Sequence, residues 1–381
     1  MDFTIPEDLA LLKKVTRDFV DNELIPLERD QELVRHPTDE ILQKVKDQGY
    51  YGLTIPERYG GLGLGALGYV LVTEELAKAP KPFIQEVVLT NGIGMYPILY
   101  SGTEEQRQKY LPRLARGEIV CSFALTEPNA GSDAGSIETF AQPDGDSWVI
   151  NGTKHFITLG HKAEYVCVIA RTDRSRPANE GMTAFIVDKG TPGFQVTRLQ
   201  DTMAGDPPVQ AELAFVDCRV PASQVIGEVG RGFGVFMKTL AMGRLQMAAF
   251  SVGTAERLLE MSTSYAKTRV QFGKPLAAYQ ATRFKFADMA TEIYAAKMMT
   301  YNAAWLYDQG DPVRMQSSMT KLYATEMLGR VADMAVQIHG GMGYMAELPV
   351  ERIYRESRLL RIVEGSSEIQ RLIIGSELLK R

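Results

Sequence analysis

The sequence predicts an α+β fold in which a β-rich segment lies between two helical regions. Apolar residues recur every three or four positions up to about residue 116, and they do so again after residue 231. Between these regions they alternate or form short runs bounded by turn residues, as in β-strands. We therefore expect a helical domain at 1–116, a β domain at 117–230 and a helical bundle at 231–381.

The N-terminal region shows helical spacing from its start. Leu9, Leu12 and Val15 recur at intervals of three residues, and Phe19 follows after four, which places them near one face of a helix. Residues 63–68 match G-x-G-x-x-G, but they follow a Pro-Glu-Arg-Tyr-Gly loop and enter a helix. A dinucleotide site needs a preceding strand, so we interpret this run as a structural loop.

The middle region predicts strands at the apolar runs 148–150, 165–170, 183–187 and 211–216. Asn151 and Gly152 lie between two apolar runs and predict a hairpin turn. Residues 123–125 lead into Thr126 and a Pro-Asn-Ala-Gly-Ser turn, which gathers hydroxyl and N–H groups at the mouth of a strand. Such a cluster suits a polar heterocycle or a phosphate, although it is also compatible with an ordinary strand-to-loop exit.

The C-terminal region predicts long helices, interrupted at residues 272–275 and 309–312 by Gly and Pro. Near its end Glu364 follows Ile362 and Val363 and precedes a Gly-Ser-Ser break. A carboxylate at such an apolar edge loses solvent, which raises its pKa toward the range of a base near neutral pH. The alternative is a solvated glutamate near a helix cap.

The composition restricts the class of protein. A hydrophobic content of 45% with 23% charged residues is typical of a soluble globular chain, here long enough for two or three packed units. The net charge of -5 argues against nucleic acid as a partner. No apolar run reaches the length of a membrane span, and the N-terminus lacks a signal-length apolar core, so we expect a cytoplasmic protein.

Cysteine and histidine do not suggest a metal or disulfide framework. Cys121, Cys167 and Cys218 are odd in number, far apart and within or beside apolar runs, as expected for reduced packing residues. The four histidines are scattered, and neither H-E-x-x-H nor C-x-x-C occurs in the sequence. We expect no metal site and a reducing compartment.

Five segments together resemble the acyl-CoA dehydrogenase family, in the order of that family and across nearly all 381 residues. They are PERYGG at 56–61, FALTEPNAGSD at 123–133, RVQFG at 269–273, QIHGG at 337–341 and RIVEGSSEIQR at 361–371. The resemblance implies an N-terminal helical domain, a middle β-barrel-like domain and a C-terminal four-helix bundle. It also implies FAD, lying between the β domain and the bundle.

The first FAD-contacting positions that the resemblance implies lie in the β domain. Phe123, Leu125 and Thr126 match the strand that hydrogen-bonds the flavin. Gly131 and Ser132 match the turn near the flavin phosphate and the substrate.

Phe156 and Thr158 match a Trp-Ile-Thr segment that packs on the flavin ring. Phe156 stands where most relatives carry Trp, so stacking is retained but the indole N–H donor is lost. A second departure is the segment MAGDPP at 203–208, where many relatives carry a Gly-x-Arg-x-Ser-x-Thr pattern.

The resemblance further implies an oligomer. Positions matching those that hold the FAD of a neighbouring subunit are Arg269, Gln271, Phe272, Gln337 and Gly341. Ser366 and Glu368 match positions that touch the adenosine of a subunit's own FAD. A shared site of this kind suggests a homotetramer built as a dimer of dimers.

Glu364 matches the catalytic base of the family, which removes the α-proton of an acyl-CoA while a hydride passes from the β-carbon to flavin N5. Some branches place this base on the helix before a conserved arginine, but residues 241–244 read Ala-Met-Gly-Arg, without an acid. Arg244, Ser132 and Gly365 match positions near the substrate. The implied activity is oxidation to a 2-enoyl-CoA in fatty acid β-oxidation, with electrons passed to an electron-transfer flavoprotein.

The sequence contains no Arg between Lys81 and Ser101, where some dicarboxyl-CoA enzymes bind a distal carboxylate, so we expect an uncharged acyl tail. Tyr96, Leu99 and Tyr100 are candidates for the tail pocket, although core packing explains them equally well. Alternatives on the same fold are an enoyl-CoA reductase, an acyl-CoA oxidase or a non-catalytic relative. A nicotinamide dehydrogenase is disfavoured because no βαβ unit is predicted.

Overall fold

The computed structural model describes residues 4–205 and 208–380. The N-terminal region is helical, as the sequence predicts, and short 3₁₀ turns connect several of its helices. Its α-helices are α1 (Glu7–Phe19), α2 (Gln31–Arg35), α3 (Asp39–Asp47), α4 (Ala66–Leu76), α5 (Lys81–Thr90), α6 (Tyr96–Ser101) and α7 (Glu104–Ala115).

The middle region is β-rich. Its strands are β1 (Cys121–Ala124), β2 (Phe140–Asp144), β3 (Ser147–Thr158), β4 (Tyr165–Arg171), β5 (Met182–Asp188), β6 (Phe194–Gln200), β7 (Gln210–Pro221) and β8 (Val225–Ile226), with the short helix α8 (Ala178–Gly181) before β5. The strand order is β6-β7-β3-β2-β4-β5-β8, and β1 joins it as a parallel neighbour of β4. Val168, Phe185 and Leu213 are fully buried in the core of this sheet.

The hairpin predicted at Asn151 and Gly152 is wrong. Both residues lie inside β3, and the turn between β2 and β3 is made at Gly145, whose φ of 62° belongs to the left-handed region. The register of β3 against β7 shifts between Ile150 and Gly152, so the Asn-Gly pair forms a β-bulge. Asn151 supports the bulge by accepting a hydrogen bond from the backbone N–H of Asp217 at 2.8 Å.

The C-terminal region returns to helices, including three long ones. Its elements are α9 (Gly232–Thr268), β9 (Val270–Gln271), β10 (Lys274–Pro275), α10 (Gln280–Asp308), α11 (Arg314–His339), α12 (Gly341–Tyr344), α13 (Val350–Ser357) and α14 (Ser367–Leu379). The two interruptions predicted from Gly and Pro are the β9–β10 hairpin and the loop between α10 and α11. Across residues 4–205 and 208–380, helices that combine the length and apolarity of a bilayer span are absent.

The described residues form two compact units. The first is drawn from the stretch ending at Pro37, from Gly65–Ile84 and from the stretch beginning at Ala241, and in it α11 packs against α10, α13 and α14. The second comprises Thr38–Leu64 and Gln85–Leu240, and it contains the sheet. The three-domain boundaries drawn from the sequence stay a prediction.

The glycine-rich run at 63–68 is a loop that leads into a helix, as interpreted, with residues 63–65 in the loop and residues 66–68 in the first turn of α4. Gly65 precedes α4, and a Cβ there would stand 2.8 Å from the carboxylate of Asp308. That carboxylate accepts hydrogen bonds from the backbone N–H groups of Ala66 and Leu67 at 2.6 and 2.9 Å, so it caps α4. The glycine therefore makes room for a capping side chain from α10.

The first unit also buries a group of acidic side chains. Carboxylate oxygens of Glu74, Glu75 and Glu256 lie within 4.8 Å of one another. The ammonium groups that form ion pairs with them belong to Lys13, Lys78 and Lys297. Arg17 also pairs with Glu75 at 3.5 Å, so this arrangement is an ionic network in which basic side chains offset the buried acidic charge.

The three cysteines are free and buried, as predicted. Burial raises the pKa of each thiol, as expected for packing residues that are not reactive. The unusual segment at 203–208 is described only in part, because residues 206 and 207 lie outside the described residues.

Candidate active site

The segment that carries Glu364 is a tight turn between a 3₁₀ turn at Arg358–Arg361 and α14. Glu364 has a φ of 56° and Gly365 a φ of 89°, so two successive residues lie in the left-handed region. Ser366 then caps α14 by accepting a hydrogen bond from the N–H of Ile369. The Gly-Ser-Ser break thus ends one helical path and begins the next, as the sequence predicts.

The carboxylate of Glu364 is buried, although the residue as a whole is only half-buried. Its Oε2 atom has no hydrogen-bond partner among the residues that the structure describes. Burial raises the pKa of Glu364 to about 7, and the cations of Arg244 and Lys321 act in the opposite direction. At neutral pH this side chain can both accept and release a proton.

The room for this carboxylate is provided by a glycine of α9. A Cβ at Gly243 would stand 2.7 Å from Oε2 of Glu364, closer than real contacts allow. The carboxylate of Glu364 therefore occupies the space that a side chain at position 243 would fill, and this position requires a small residue.

Two cations act on Glu364. Arg244 on α9 is 3% exposed, and its Nε atom has no partner within the described ranges. Lys321 on α11 is completely buried, and its Nζ donates to the carbonyl oxygen of Gly365 at 2.9 Å. Burial lowers the pKa of Arg244 to about 10 and that of Lys321 to about 8.

The sequence analysis identified Arg244 but missed Lys321. Lys321 lies on the buried stripe of α11, in phase with Ser317, Ala324 and Leu328. A lysine within an apolar helical stripe is seldom buried without a charged or polar partner, and this spacing was the signal that could have found it.

The flavin-contacting positions predicted in the β domain come together where β1 and β3 end. Ser122 of β1 donates its hydroxyl to the carbonyl of Thr158 at 2.7 Å, and the N–H of His155 donates to the carbonyl of Thr126 at 2.8 Å. Phe123 is half-buried and stacks on Phe236, with ring centroids 5.5 Å apart. The strand exit is therefore an ordered edge of the sheet.

A buried ion pair that the sequence analysis missed holds the same strand exit. Lys154 is fully buried and donates from Nζ to the carbonyl of Leu125 at 2.9 Å and to Oε1 of Glu127 at 2.7 Å. Glu127 also accepts from the backbone N–H groups of Glu138 and Thr139. These bonds hold Glu127, the residue before the turn that begins at Pro128. Gly131 and Ser132 in that turn are exposed.

Phe156 presents an aromatic face to solvent. Its ring is 59% exposed while its neighbour Ile157 is buried, and its φ of 61° places it in the left-handed region. Its N–H donates to Oε1 of Gln200 at 3.1 Å, which supports this conformation. An exposed aromatic ring on a fixed backbone suits stacking by a flat heterocycle. At Gly131 no described atom lies within 4 Å of where a Cβ would stand, which leaves room for a bound group, so these residues fit FAD.

The remaining positions predicted to contact the cofactor lie in the first unit, at the β9–β10 hairpin, where α11 ends and α12 begins, and at the start of α14. Phe272 at the hairpin tip is 96% exposed, and Arg269 and Gln271 are exposed beside it. The ring of Tyr265, one turn before Arg269, stacks on His339 with centroids 4.5 Å apart. The other exposed or half-buried positions of this set are Gln337, Gly341, Ser366 and Glu368.

The candidates for the acyl-tail pocket lie in and beside α6. Tyr96 is buried and its ring stacks on that of Tyr100, with centroids 5.1 Å apart and planes 2° from parallel. The carbonyl of Leu99 accepts from Nε of Arg107 at 3.1 Å. Each of these contacts also serves the packing of the second unit.

The chain matches three family models in succession. They are the acyl-CoA dehydrogenase N-terminal domain at residues 6–118, the middle domain at 122–218 and the C-terminal domain at 230–379. Together they span most of the chain.

Curated relatives match over their full lengths. A probable acyl-CoA dehydrogenase of Bacillus subtilis, YngJ, is 40% identical over 380 residues, which covers 100% of both chains. The NADH-dependent acryloyl-CoA reductase of Anaerotignum propionicum is also 40% identical, over 100% of this chain and 97% of its own.

Solved structures agree with these matches. Butyryl-CoA dehydrogenase of Megasphaera elsdenii superposes with a TM-score of 0.93 at 38% identity, over 100% of both chains. A chain in a structure of the electron transferring flavoprotein of Acidaminococcus fermentans gives 0.94 at 39%, also over 100% of both. An FAD complex of an acyl-CoA dehydrogenase from Bacillus anthracis gives 0.91 at 33%, over 99% of this chain and 67% of its own. The chain belongs to the acyl-CoA dehydrogenase family of FAD-dependent oxidoreductases.

Proposed function

We propose that this enzyme oxidises the α,β bond of an acyl-CoA thioester to a 2-enoyl-CoA, with Glu364 as the base that removes the α-proton. The observation that carries the proposal is the state of the Glu364 carboxylate. Its Oε2 atom is buried and unbonded among the described residues, and its pKa is raised to about 7. A structural glutamate would be either solvated or fully hydrogen-bonded.

The chemistry divides between the protein and its cofactor. FAD supplies a hydride acceptor when bound. Glu364 takes the proton, and the nearby cation of Arg244 favours the ionised carboxylate that the reaction requires. Gly365 and Ser132 match family positions near the substrate, which supports assigning them to the acyl-CoA as well.

The test is flavin reduction by butyryl-CoA without oxygen, comparing the parent enzyme with E364Q. We expect E364Q to retain FAD while the rate of flavin bleaching falls by roughly 10²–10⁴-fold, because glutamine cannot accept the proton. E105Q, which changes an exposed glutamate at the start of α7, is the matched control and should bleach at the parent rate. An E364Q enzyme that bleaches as fast as the parent would refute the assignment of the base.

A second candidate is the reverse reaction, reduction of an enoyl-CoA. It is favoured by the match to the acryloyl-CoA reductase, which is as strong as the match to YngJ. With a pKa of about 7, Glu364 can donate a proton as readily as it accepts one. Rates measured in both directions, with an electron-transfer flavoprotein and with NADH, separate the two candidates.

We propose an electron-transfer flavoprotein as the redox partner and a homotetramer as the assembly. The similarity to a chain in the Acidaminococcus fermentans flavoprotein structure supports the partner.

The assembly is supported by two aromatic residues of the first unit that an interface would cover. Phe272 is 96% exposed and Tyr344 is 83% exposed. Light scattering of the parent should give four copies, and F272D should give fewer.

We propose an uncharged acyl tail and a role in fatty acid β-oxidation in the cytoplasm. The absence of arginine between Lys81 and Ser101 supports the uncharged tail. The free, buried cysteines are compatible with a reducing compartment. Titrating the bound flavin with acyl-CoA and dicarboxyl-CoA thioesters tests the tail, and bleaching by only the dicarboxyl compounds would contradict it.

A further inference from the structure

The turn at Glu364 and Gly365 is held in a backbone conformation that glutamate rarely adopts. A non-glycine residue in the left-handed region is strained, and the surrounding structure must compensate for that strain. The compensation comes from side chains that bind the two carbonyl oxygens of the turn.

Two buried donors on different helices hold these carbonyls. Gln370 on α14 donates from Nε2 to the carbonyls of Glu364 and Gly365, at 3.0 and 2.9 Å. Lys321 on α11 donates from Nζ to the carbonyl of Gly365 at 2.9 Å. Lys321 and Gln370 are each 0% exposed, so solvent does not replace either contact. The turn is therefore fixed by side chains from two helices, α14 and α11.

Lys321 differs from Gln370 because it is a cation. Its favourable charge interactions are with Glu364, Glu326 and Glu368, and its unfavourable one is with Arg244. Hydrogen-bonded neighbours already bind Glu326, which accepts from Ser367 at 2.6 Å and from Arg361 at 3.4 Å. Glu364 has no such bond at Oε2 in the described part of the chain, so its ionisation depends on the charge of Arg244, which is the larger influence, and on that of Lys321.

We propose that Lys321 is the positioning residue of the active-site turn, which fixes the Gly365 carbonyl and keeps the carboxylate of Glu364 ionised in its buried site. The inference rests on the proposed role of Glu364 as the base. Lys321 acts through Glu364 and Gly365, and Arg244 is the second cation that acts on the same carboxylate. The charges around the carboxylate therefore come from α9 through Arg244 and from α11 through Lys321.

The sign of the expected effect follows from the charge. A nearby cation favours ionised Glu364, so its removal raises the pKa of Glu364. The base must be ionised to accept the proton, and the acidic limb of the profile of rate against pH, measured below saturating butyryl-CoA, reports its pKa in the free enzyme. Loss of the Lys321 charge should therefore move that limb to higher pH.

The experiment measures anaerobic flavin reduction by butyryl-CoA between about pH 5.5 and 9, in FAD-loaded parent, K321M, K321R and Q370L. We expect K321M to move the midpoint of the acidic limb up by about one unit, which lowers the rate near pH 6 by about tenfold. K321R keeps the charge and should keep the parent midpoint. Q370L removes a donor without a charge, so its rate should fall at every pH with an unchanged midpoint.

K14M replaces a lysine whose side chain is 70% exposed on α1, and it should match the parent throughout. A K321M enzyme with the parent midpoint refutes the inference. If K321M does not fold, K321Q replaces it, because glutamine also removes the charge but can still donate to the Gly365 carbonyl, and a K321Q enzyme with the parent midpoint refutes the inference. A shifted midpoint in Q370L also refutes it, because it would show that the turn geometry and not the lysine charge sets the profile. An active E364Q would refute the base itself, whereas an inactive E364Q with an unshifted K321M refutes only the role of Lys321.

Discussion

The chain has two buried carboxylates whose pKa values are shifted in opposite directions. They belong to Glu127 in the second unit, which contains the sheet, and to Glu364 in the first unit. Each lies near a fully buried lysine, Lys154 or Lys321. Burial acts to raise the pKa of both acids, yet the pKa of Glu127 is lowered while that of Glu364 is raised to about 7. Burial alone therefore does not decide the protonation state.

The difference lies in where the lysine donates. Lys154 binds the carboxylate of Glu127 directly, and two backbone N–H groups bind it as well, which outweighs the cost of burial. Lys321 instead donates to the carbonyl of Gly365 and leaves Oε2 of Glu364 without a bond among the described residues. The carboxylate of Glu127 therefore has a structural role as a bonded anion. The carboxylate of Glu364 keeps an oxygen atom that can bind a proton.

The largest effect is expected when the bonded pair is broken. K154M removes the cation from Glu127 and leaves a buried charge with only its backbone donors, so stability should fall by about 3–5 kcal/mol. Urea unfolding of the FAD-loaded enzyme measures the change. The double variant K154M/E127Q should recover part of the loss, and R116A, in an exposed ion pair, should change little. If K154M were as stable as the parent, the ion pair of Lys154 with Glu127 would not be what stabilises that buried carboxylate.

A smaller effect, of opposite sign, is expected at Glu364. Its folded pKa of about 7 exceeds the ordinary value of 4.5, so the folded state binds more protons than the unfolded state between these values. Stability therefore falls as pH rises through this window, and above it the ionised carboxylate costs about 3 kcal/mol. E364Q should be more stable than the parent by about this amount near pH 8, and the gain should vanish near pH 4.

Thermal or urea unfolding at several pH values checks this expectation in FAD-loaded enzyme. E105Q, at an exposed position, provides the control for the Glu-to-Gln change. If E364Q were less stable than the parent near pH 8, Glu364 would be a bonded structural acid like Glu127.

The smallest effect is expected at Gly243. G243A places a methyl group 2.7 Å from Oε2 of Glu364, so stability should fall by roughly 1–3 kcal/mol and flavin bleaching by butyryl-CoA should slow. The matched control is G234A on the same helix, where a Cβ meets open space, and it should stay within about 1 kcal/mol of the parent. Equal behaviour of the two variants would show that the carboxylate has room to move.

Much of the fold could be predicted from the sequence because its signals are local. Helical spacing and Gly-Pro interruptions set the helices, and period-two runs set the strands. Asn151 and Gly152 gave the wrong turn because the same dipeptide suits a bulge, and only pairing with β7 distinguishes the two.

The candidate site was predictable at Glu364 and Arg244, which lie in recognisable segments. For the two buried lysines, the spacing on α11 pointed to the burial of Lys321, but the groups that Lys321 and Lys154 bind could not be predicted. The contact of Lys321 with Gly365 spans 44 residues and that of Lys154 with Glu127 spans 27, so no local pattern specifies either partner. The requirement for a small residue at Gly243 likewise depends on a side chain 121 positions later in the chain.

The cap that Asp308 places on α4 spans 242 residues and has a consequence for synthesis. Ribosomes deliver α4, whose residues are almost all buried in the finished enzyme, long before they deliver the aspartate that completes its first turn. Helix α1, which packs on α4, is made earlier, but the face of α4 that packs on α10 stays uncovered until α10 has emerged. Chaperone binding during translation is therefore expected to concentrate on this segment.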